Sequence, residues 1–274
     1  MTCGTAHTEA VIFWLDKYGV PLVGPSSRAR VLHQPVQKDI FNVRAIYQRE
    51  AEKAASHMQS MGVTKIAVVY TDDSFGADGL AGTQKGMVTA KRAPVAVEKL
   101  SRSKPDFTTI APQVYKAGAQ TVIMIASSQV VVEGVKALRA TGSAAQIVTL
   151  SNKASTGFIK RLSESGRGLM VTQVFPSECS IAFSLVKPAQ ELVKAQPQPE
   201  LSPAMLEGFS AAKVLVESLR RAGPKPTREK IQAALEGLRK FDLGGLEVGY
   251  RLDDHTGLDF ADLSIIGTDG RFRH

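Results

Sequence analysis

Short apolar runs alternate with longer amphipathic segments through the first two thirds of the chain. This alternation is typical of parallel β-strands that are joined by crossover helices. Several of the runs are apolar on both faces, as expected of strands that helices cover on both sides of a sheet. The pattern therefore predicts an α/β fold, with strands over residues 20–24, 41–45, 65–70, 93–100, 120–127, 146–151 and 168–175.

Helical patterns fill the intervals between these strands and then dominate the chain beyond Phe175. There two helical segments follow one another without a strand between them. The second starts at Ser202 and Pro203, a capping residue followed by a proline at the first helical position. The predicted helices cover residues 49–61, 77–90, 106–117, 129–140, 181–195, 204–222 and 228–238, and further strands cover 247–252 and 262–268.

An apolar face runs along the predicted helix 204–222. Its members recur at helical spacing, which is typical of a helix that packs against a core. We therefore expect the following side chains to be buried: Met205, Phe209, Ala212, Leu215, Val216 and Leu219.

The composition is that of a folded globular chain and excludes several classes of protein. With 274 residues, 43% of them hydrophobic and 22% charged, the sequence is neither fibrous nor disordered. Its longest apolar run, residues 10–15, is much shorter than the ~20 residues of a membrane-spanning helix. The net charge of +8 would suit nucleic acid, but the cations are dispersed and only 6% of residues are aromatic. We expect no nucleic-acid partner.

Motifs for catalysis or cofactor binding are absent from the sequence. It contains neither of the glycine-rich phosphate loops that accompany doubly wound sheets, and no GxSxG nucleophile turn. The five histidines lack metal-ligand spacing, and the two cysteines, Cys3 and Cys179, form no CxxC site. We therefore expect no cofactor, no metal site and no catalytic residue, and an enzyme is the least favoured class.

Small polar residues recur where predicted strands end and helices begin. Open α/β sheets bind ligands at these carboxyl ends, and hydroxyls beside backbone N–H groups at a helix start suit a carboxylate. Helix capping explains any one of these residues equally well, so only their recurrence at equivalent ends favours a ligand site. The residues are Thr5, Thr8, Ser26, Ser27, Ser127, Ser128, Ser151 and Asn152.

Five segments in a fixed order carry a family resemblance. They are GVPLVGPSS (19–27), FNVRAIYQREAEKAASHM (41–58), IAVVYTDDSFGADGL (66–80), LEGFSAAKVLVESLRRAG (206–223) and FDLGGLEVGYRLDDHTG (241–257). Their order resembles that of the branched-chain amino-acid-binding proteins, which are type I periplasmic substrate-binding receptors of ABC importers. The resemblance runs from about residue 3 to the end of the chain. It implies two doubly wound parallel-sheet lobes, joined by three crossing segments, that close on a small ligand in the cleft.

The same resemblance implies how the chain divides between the lobes. Residues 1–45 and 176–246 correspond to lobe 1, and residues 46–175 and 247–274 to lobe 2. The family's first strand–helix units have no counterpart here, so lobe 1 is expected to be incomplete. Apolar side chains of the first helix, among them Val11, Phe13 and Trp14, are then expected to be exposed. We also expect the chain to be a fragment of a longer exported receptor that folds poorly or binds weakly alone.

In lobe 1 the resemblance assigns two turns to the ligand's carboxylate. Gly4 and Thr5 match the family's pair at a helix start, and Ser26 and Ser27 match the small polar turn after the next strand. Arg28 follows this turn, where small residues are common in the family. It is expected either to clamp an acidic ligand or to point to solvent.

In lobe 2 the resemblance assigns three further positions. Phe75 before Gly76 matches the aromatic residue that covers the ligand, and Ser127 falls at the next strand end. Ser151 stands where amino-acid-binding members often keep an acidic residue for the ligand's ammonium group. A ligand with an ammonium group would lack that counter-charge here.

The function implied by the resemblance is that of a receptor without catalytic activity. It binds a small carboxylate such as a branched-chain amino acid and delivers it to the membrane permease of an ABC importer, in the periplasm. The alternative is a ligand-sensing regulatory protein of the same fold that binds an amide or amino acid. The beginning, MTCGTAHTEAVIFWL, contains no visible secretory signal, and a signal upstream would favour transport.

Overall fold

The computed structural model describes residues 4–154, 156–196 and 200–273 and divides the chain into two compact units. Unit 1 contains Met1–Ile46 and Val174–Phe260, and unit 2 contains Tyr47–Gln173 and Ala261–His274. Cys3 lies outside the described residues, and Cys179 is an exposed free thiol.

Unit 2 is built on a seven-stranded sheet with helices on both faces. Its strands are β3 (Ile66–Thr71), β4 (Ala96–Leu100), β5 (Thr121–Ile125), β6 (Gln146–Thr149), β7 (Met170–Gln173), β11 (Asp262–Ile266) and β12 (Phe272–Arg273). Its helices are α2 (Tyr47–Ser60), α3 (Ser74–Val88), α4 (Phe107–Lys116), α5 (Ser128–Ala140) and α6 (Thr156–Leu162).

The order of this sheet is β12-β11-β7-β6-β5-β3-β4. The five strands from β7 to β4 are parallel, whereas β11 and β12 pair antiparallel at one side. All five residues of β5 are buried, and Val122 and Met124 pack in a core with α4 and α5. The predicted α/β class with a doubly wound parallel sheet is therefore confirmed.

Unit 1 combines helices with two small sheets. Its helices are α1 (Thr5–Tyr18), α7 (Val186–Lys194), α8 (Pro203–Ala222) and α9 (Arg228–Glu236). The strands β1 (Leu22–Val23) and β2 (Ile40–Phe41) form a parallel pair, and β8 (Phe241–Asp242), β9 (Glu247–Arg251) and β10 (Asp254–Gly257) form an antiparallel sheet. As predicted, Ser202 caps α8, because its hydroxyl accepts a hydrogen bond from the Met205 N–H.

The expectation that the chain passes from lobe 1 to lobe 2 at residue 247 is wrong, because the chain stays in unit 1 until Phe260. The reason is the core contact of Tyr250 on β9. This side chain packs edge-to-face on Phe41 at 5.2 Å, and its hydroxyl donates to the Asn42 carbonyl at 2.7 Å. The Asn42 N–H donates in turn to the carbonyl of His255 on β10. These contacts fix β9 and β10 to the chain around β2.

The prediction that the apolar stripe of α8 is buried is also wrong. Met205, Leu215 and Val216 are exposed, and the helix buries a neighbouring face of mixed polarity instead. Two contacts turn that face inward. Glu207 forms ion pairs in the interior, and Ala211 lies so close to Gly24 that a Cβ on this glycine would be 2.5 Å from the Ala211 Cβ.

The expectation of exposed apolar side chains on α1 is confirmed for two residues. Phe13 is 65% and Trp14 is 50% exposed, while Val11 is half-buried. The Lys17 ammonium lies 5.2 Å from the Trp14 ring centroid and partly covers this aromatic surface.

A close helix contact in unit 2 depends on glycine. A Cβ at Gly82 of α3 would lie 2.2 Å from the Gln48 carbonyl oxygen of α2, and one at Gly86 would lie 2.5 Å from that of Glu52. Both obstacles are backbone atoms, which cannot rotate away. The two helices therefore pack more closely than any side chain at these positions allows.

We expect Gly82→Ala to lower the free energy of unfolding by about 1–3 kcal/mol, because the methyl group forces α3 away from α2. Gly208→Ala on α8 is the matched control, since a methyl group at this position would meet no neighbouring element within 4 Å. It should raise stability by about 0.5–1 kcal/mol through helix propensity. Urea unfolding of both variants checks this, and equal effects would contradict the close contact.

Unit 1 contains a buried histidine that should make its stability depend on pH. Burial lowers the pKa of His33 from 6.5 to about 4, and its Nδ1 lies 3.1 Å from the Thr256 hydroxyl. Between these two pH values the unfolded chain binds a proton that the folded chain excludes. The free energy of unfolding should therefore fall by about 3 kcal/mol as the pH falls from 6.5 to 4.

The His33→Gln variant should lose this part of the pH dependence, whatever its stability at neutral pH. Urea unfolding of both proteins between pH 4 and 7 measures the difference. If the free energies of unfolding of the two proteins change with pH in parallel, the folded chain binds the proton at His33 as readily as the unfolded chain, and the prediction is wrong.

Candidate functional site

The predicted site residues fall into two groups, one in each unit. In unit 1 the structure brings Thr5, at the start of α1, to Ser27, in the turn after β1. Their hydroxyl oxygens lie 2.8 Å apart, and either can donate to the other. The hydroxyl that accepts keeps its own proton for a ligand. Ser26 is half-buried beside this pair.

The start of α1 adds a favourable electrostatic field to this hydroxyl pair. Gly4 is the N-cap residue with a positive φ of 92°, and it has no side chain that could cap the helix. The Thr8 hydroxyl donates to the Gly4 carbonyl at 3.0 Å, so it supports the turn. A helix N-terminus attracts negative charge, and together with hydroxyl donors it suits a carboxylate.

The expectation that Arg28 points to solvent is wrong, because its guanidinium pairs with an acid of the protein itself. It is buried and donates two hydrogen bonds to the Glu207 carboxylate, at 3.0 and 3.1 Å. Arg44 donates to the same carboxylate. Burial raises the pKa of Glu207, and the Arg28 guanidinium opposes that shift. The ion cluster thus anchors the turn that carries Ser26 and Ser27 to α8.

In unit 2 the predicted residues lie at the carboxyl ends of three neighbouring strands. Phe75 is in the first turn of α3 after β3, Ser127 follows β5, and Ser151 follows β6. Because the sheet order contains β6-β5-β3, these positions share one edge of the sheet. Ser127 also caps α5, since its hydroxyl accepts from the Val130 N–H.

Phe75 belongs to a buried group that sequence reasoning only partly identified. Its ring packs edge-to-face on Tyr47 with the centroids 4.5 Å apart. The Lys153 ammonium lies 5.7 Å from the Phe75 centroid. Tyr47 gave no signal, because the sequence pattern placed the start of this helix at residue 49. Lys153 stands in the same turn as Ser151 and Asn152 and could have been considered with them.

The loop before Phe75 is rigidly held by Asp73. Its carboxylate accepts hydrogen bonds from the Gly76 N–H at 2.8 Å, the Thr71 hydroxyl at 3.1 Å and the Arg102 guanidinium at 2.8 Å. This arrangement fixes the first turn of α3, which carries Phe75.

Glu50 is a further residue that the sequence did not indicate. It is completely buried on α2, and its Oε2 accepts from the Ser151 N–H at 2.9 Å and from the Thr172 hydroxyl at 2.6 Å. The acid joins α2, β7 and the turn after β6. In the sequence it stands among charged residues of an amphipathic helix, where nothing distinguishes it from a surface glutamate.

A metal site and a membrane-spanning helix are both absent from the parts of the chain that the structure describes. No group of three or more His, Cys, Asp or Glu residues there is arranged to hold a metal ion. Likewise, none of the helices described has the length and apolar character needed to cross a membrane.

Comparison with known proteins identifies the family. Residues 1–260 match the periplasmic binding protein family. A substrate-binding periplasmic protein from Ralstonia solanacearum has 30% identity and a TM-score of 0.81, over 98% of this chain and 77% of that one. An extracellular ligand-binding receptor from Verminephrobacter eiseniae has 26% identity and a TM-score of 0.84, over 100% of this chain and 79% of that one.

A branched-chain amino acid ABC transporter protein from Thermus thermophilus, with bound valine, shares the fold at 18% identity and a TM-score of 0.79. That match covers 98% of this chain and 74% of the other. Among curated proteins there is no match. With its fold and most of its length in common with these receptors, the chain belongs to the periplasmic binding protein family.

Proposed function

We propose that the protein is the substrate-binding receptor of an ABC importer and that it binds a small carboxylate such as a branched-chain amino acid. The observation that carries this proposal is the Thr5–Ser27 hydroxyl pair at the start of α1. A hydroxyl proton and a helix N-terminus together supply the donors and the positive potential that a carboxylate requires.

Unit 2 contains a second group of residues that we propose for ligand binding. Phe75 offers an aromatic face whose position is fixed by Tyr47 and by the Asp73 turn. Ser127 and Ser151 lie at the ends of the adjacent strands, where doubly wound sheets bind their ligands. An aromatic face with a few polar groups around it is typical of small-molecule sites.

The relatives support the transport role. The Ralstonia protein is a substrate-binding periplasmic protein, and the Thermus protein belongs to a branched-chain amino acid ABC transporter. By this analogy the receptor acts in the periplasm and delivers its ligand to a membrane permease. The role requires binding and release without a chemical reaction, so the ligand should be recovered unchanged.

A carboxylate ligand should raise the melting temperature of the chain. At 100 times its dissociation constant it stabilises the folded state by about 2.7 kcal/mol. A thermal-shift series over amino acids, amides and aromatic acids measures this at neutral pH. The Ser27→Ala variant should weaken the shift, because it removes one hydroxyl of the pair. If no carboxylate changes the melting temperature, the proposed function is wrong.

The Phe75→Ala variant should weaken ligand binding by about 1–3 kcal/mol, because the aromatic contact is lost. Isothermal titration calorimetry measures the affinity, and circular dichroism verifies the folded fraction. Phe13→Ala is the matched control, since this side chain is exposed on α1. Unchanged affinity of the folded Phe75 variant would remove this residue from the site.

A further inference from the structure

Three aromatic side chains lie side by side on the surface of α1. Phe13 is 65%, Trp14 is 50% and Tyr18 is 52% exposed. The Phe13 and Trp14 ring centroids are 5.4 Å apart, and those of Trp14 and Tyr18 are 6.0 Å apart. In the part of the chain that the structure describes, one further aromatic side chain, Tyr115 of α4, is exposed to this degree. A contiguous exposed surface of this kind, here called the α1 aromatic face, is typical of an interaction site.

The α1 aromatic face lies on the outer side of its helix. Thr8 is completely buried, and Val11 and Leu15, which follow on the same side of α1, are half-buried. That side packs against unit 1, and the three rings lie on a different one. They are therefore directed away from the core of the unit to which they belong.

Basic side chains lie at the edge of the α1 aromatic face. The Lys17 ammonium is 5.2 to 5.9 Å from the centroids of all three rings. The Arg228 guanidinium, at the start of α9, donates to the Tyr18 carbonyl at 2.9 Å. Lys225 and Lys230 are exposed on either side of Arg228 in the sequence, and the Lys230 ammonium donates to the Lys225 carbonyl at 3.2 Å.

The acids of the same segments are too few to neutralise these cations. Residues 13–18 and 225–230 contain four basic side chains, Lys17, Lys225, Arg228 and Lys230, and two acidic ones, Asp16 and Glu229. The segments therefore carry a net positive charge, which an anionic partner complements.

We propose that the α1 aromatic face binds the surface of an anionic phospholipid bilayer, with its rings in the headgroup region and Lys17 and Arg228 at the lipid phosphates. Trp and Tyr are enriched at membrane–water interfaces, where one end of the side chain is apolar and the other meets water. Basic residues beside them add attraction to anionic headgroups. This contact would keep the receptor at the membrane, and it does not depend on which ligand the receptor binds.

Trp14 reports on this contact directly, because it is the single tryptophan of the chain. Vesicles of equal parts phosphatidylglycerol and phosphatidylcholine should shift its fluorescence emission to shorter wavelength, since the ring leaves water. Co-sedimentation of the whole chain should give a partition coefficient at least about tenfold higher for these vesicles than for phosphatidylcholine alone. Raising the salt from about 0.1 M to about 1 M should weaken the binding, because the Debye length falls from about 10 Å to about 3 Å.

Two pairs of variants separate a specific face from general adhesion of a basic protein. Tyr18→Ala should lower the partition coefficient for the anionic vesicles at least about threefold, and Tyr115→Ala, at 53% exposure on α4, should leave it unchanged. Lys17→Glu should lower it at least about fivefold. Lys116→Glu, in the last turn of α4, changes the net charge equally and should have a much smaller effect. Circular dichroism and melting temperatures establish that each variant is folded.

Three outcomes would overturn this inference. One is an unchanged Trp14 emission with anionic vesicles. Another is an equal effect of the α1 variants and their α4 controls, which would show that adhesion depends on total charge. The third is an emission shift that appears without vesicles as the protein concentration rises, together with a dimer in analytical ultracentrifugation. That result would assign the α1 aromatic face to a second copy of the chain. The carboxylate thermal shift tests the proposed function separately.

Discussion

The parallel pairing of β3, β5 and β6 is the constraint on which the candidate site of unit 2 depends. Parallel strands in one sheet end at the same edge, so the segment that follows each strand begins there. Phe75, Ser127 and Ser151 are far apart in sequence and become neighbours along that edge for this reason alone. The buried β-branched residues of the strands therefore create the geometry of the site, although none of them is assigned to the ligand.

Buried carboxylates hold the site turns in both units. Glu207 on α8 accepts from Arg28, next to Ser27, and Glu50 on α2 accepts from the Ser151 N–H. Removing one partner of a buried ion pair typically costs about 3–5 kcal/mol, so the turn that Arg28 ties to Glu207 cannot shift freely. In each unit, the carboxylate of a helix residue thus holds a short polar turn in position. Neither carboxylate is itself assigned to the ligand.

Local patterns predicted the parts of the fold that local interactions determine. The strands of unit 2 and the cap at Ser202 follow from residues that are close in sequence. The position of the third crossing was predicted wrongly, because the sequence pattern of the strand at Glu247 fits either unit. Its assignment depends on the Tyr250 hydroxyl and the Asn42 carbonyl, 208 positions apart.

The contacts that hold the site turns were missed for the same reason. Arg28 and Glu207 are 179 positions apart, and Glu50 and Ser151 are 101 positions apart, so no spacing could indicate either contact. The buried face of α8 was also missed, because the ion pairs of Glu207 and the close approach of Ala211 to Gly24 outweigh its apolar stripe.

The central claim is that the hydroxyl pair at the start of α1 binds a carboxylate, and hydrogen–deuterium exchange tests it most directly. The whole chain would be compared with and without a saturating concentration of the carboxylate that gives the largest thermal shift. The account predicts slower exchange at residues 5–8 and 26–28 of unit 1 in the presence of this carboxylate. Unchanged exchange in both segments would contradict it.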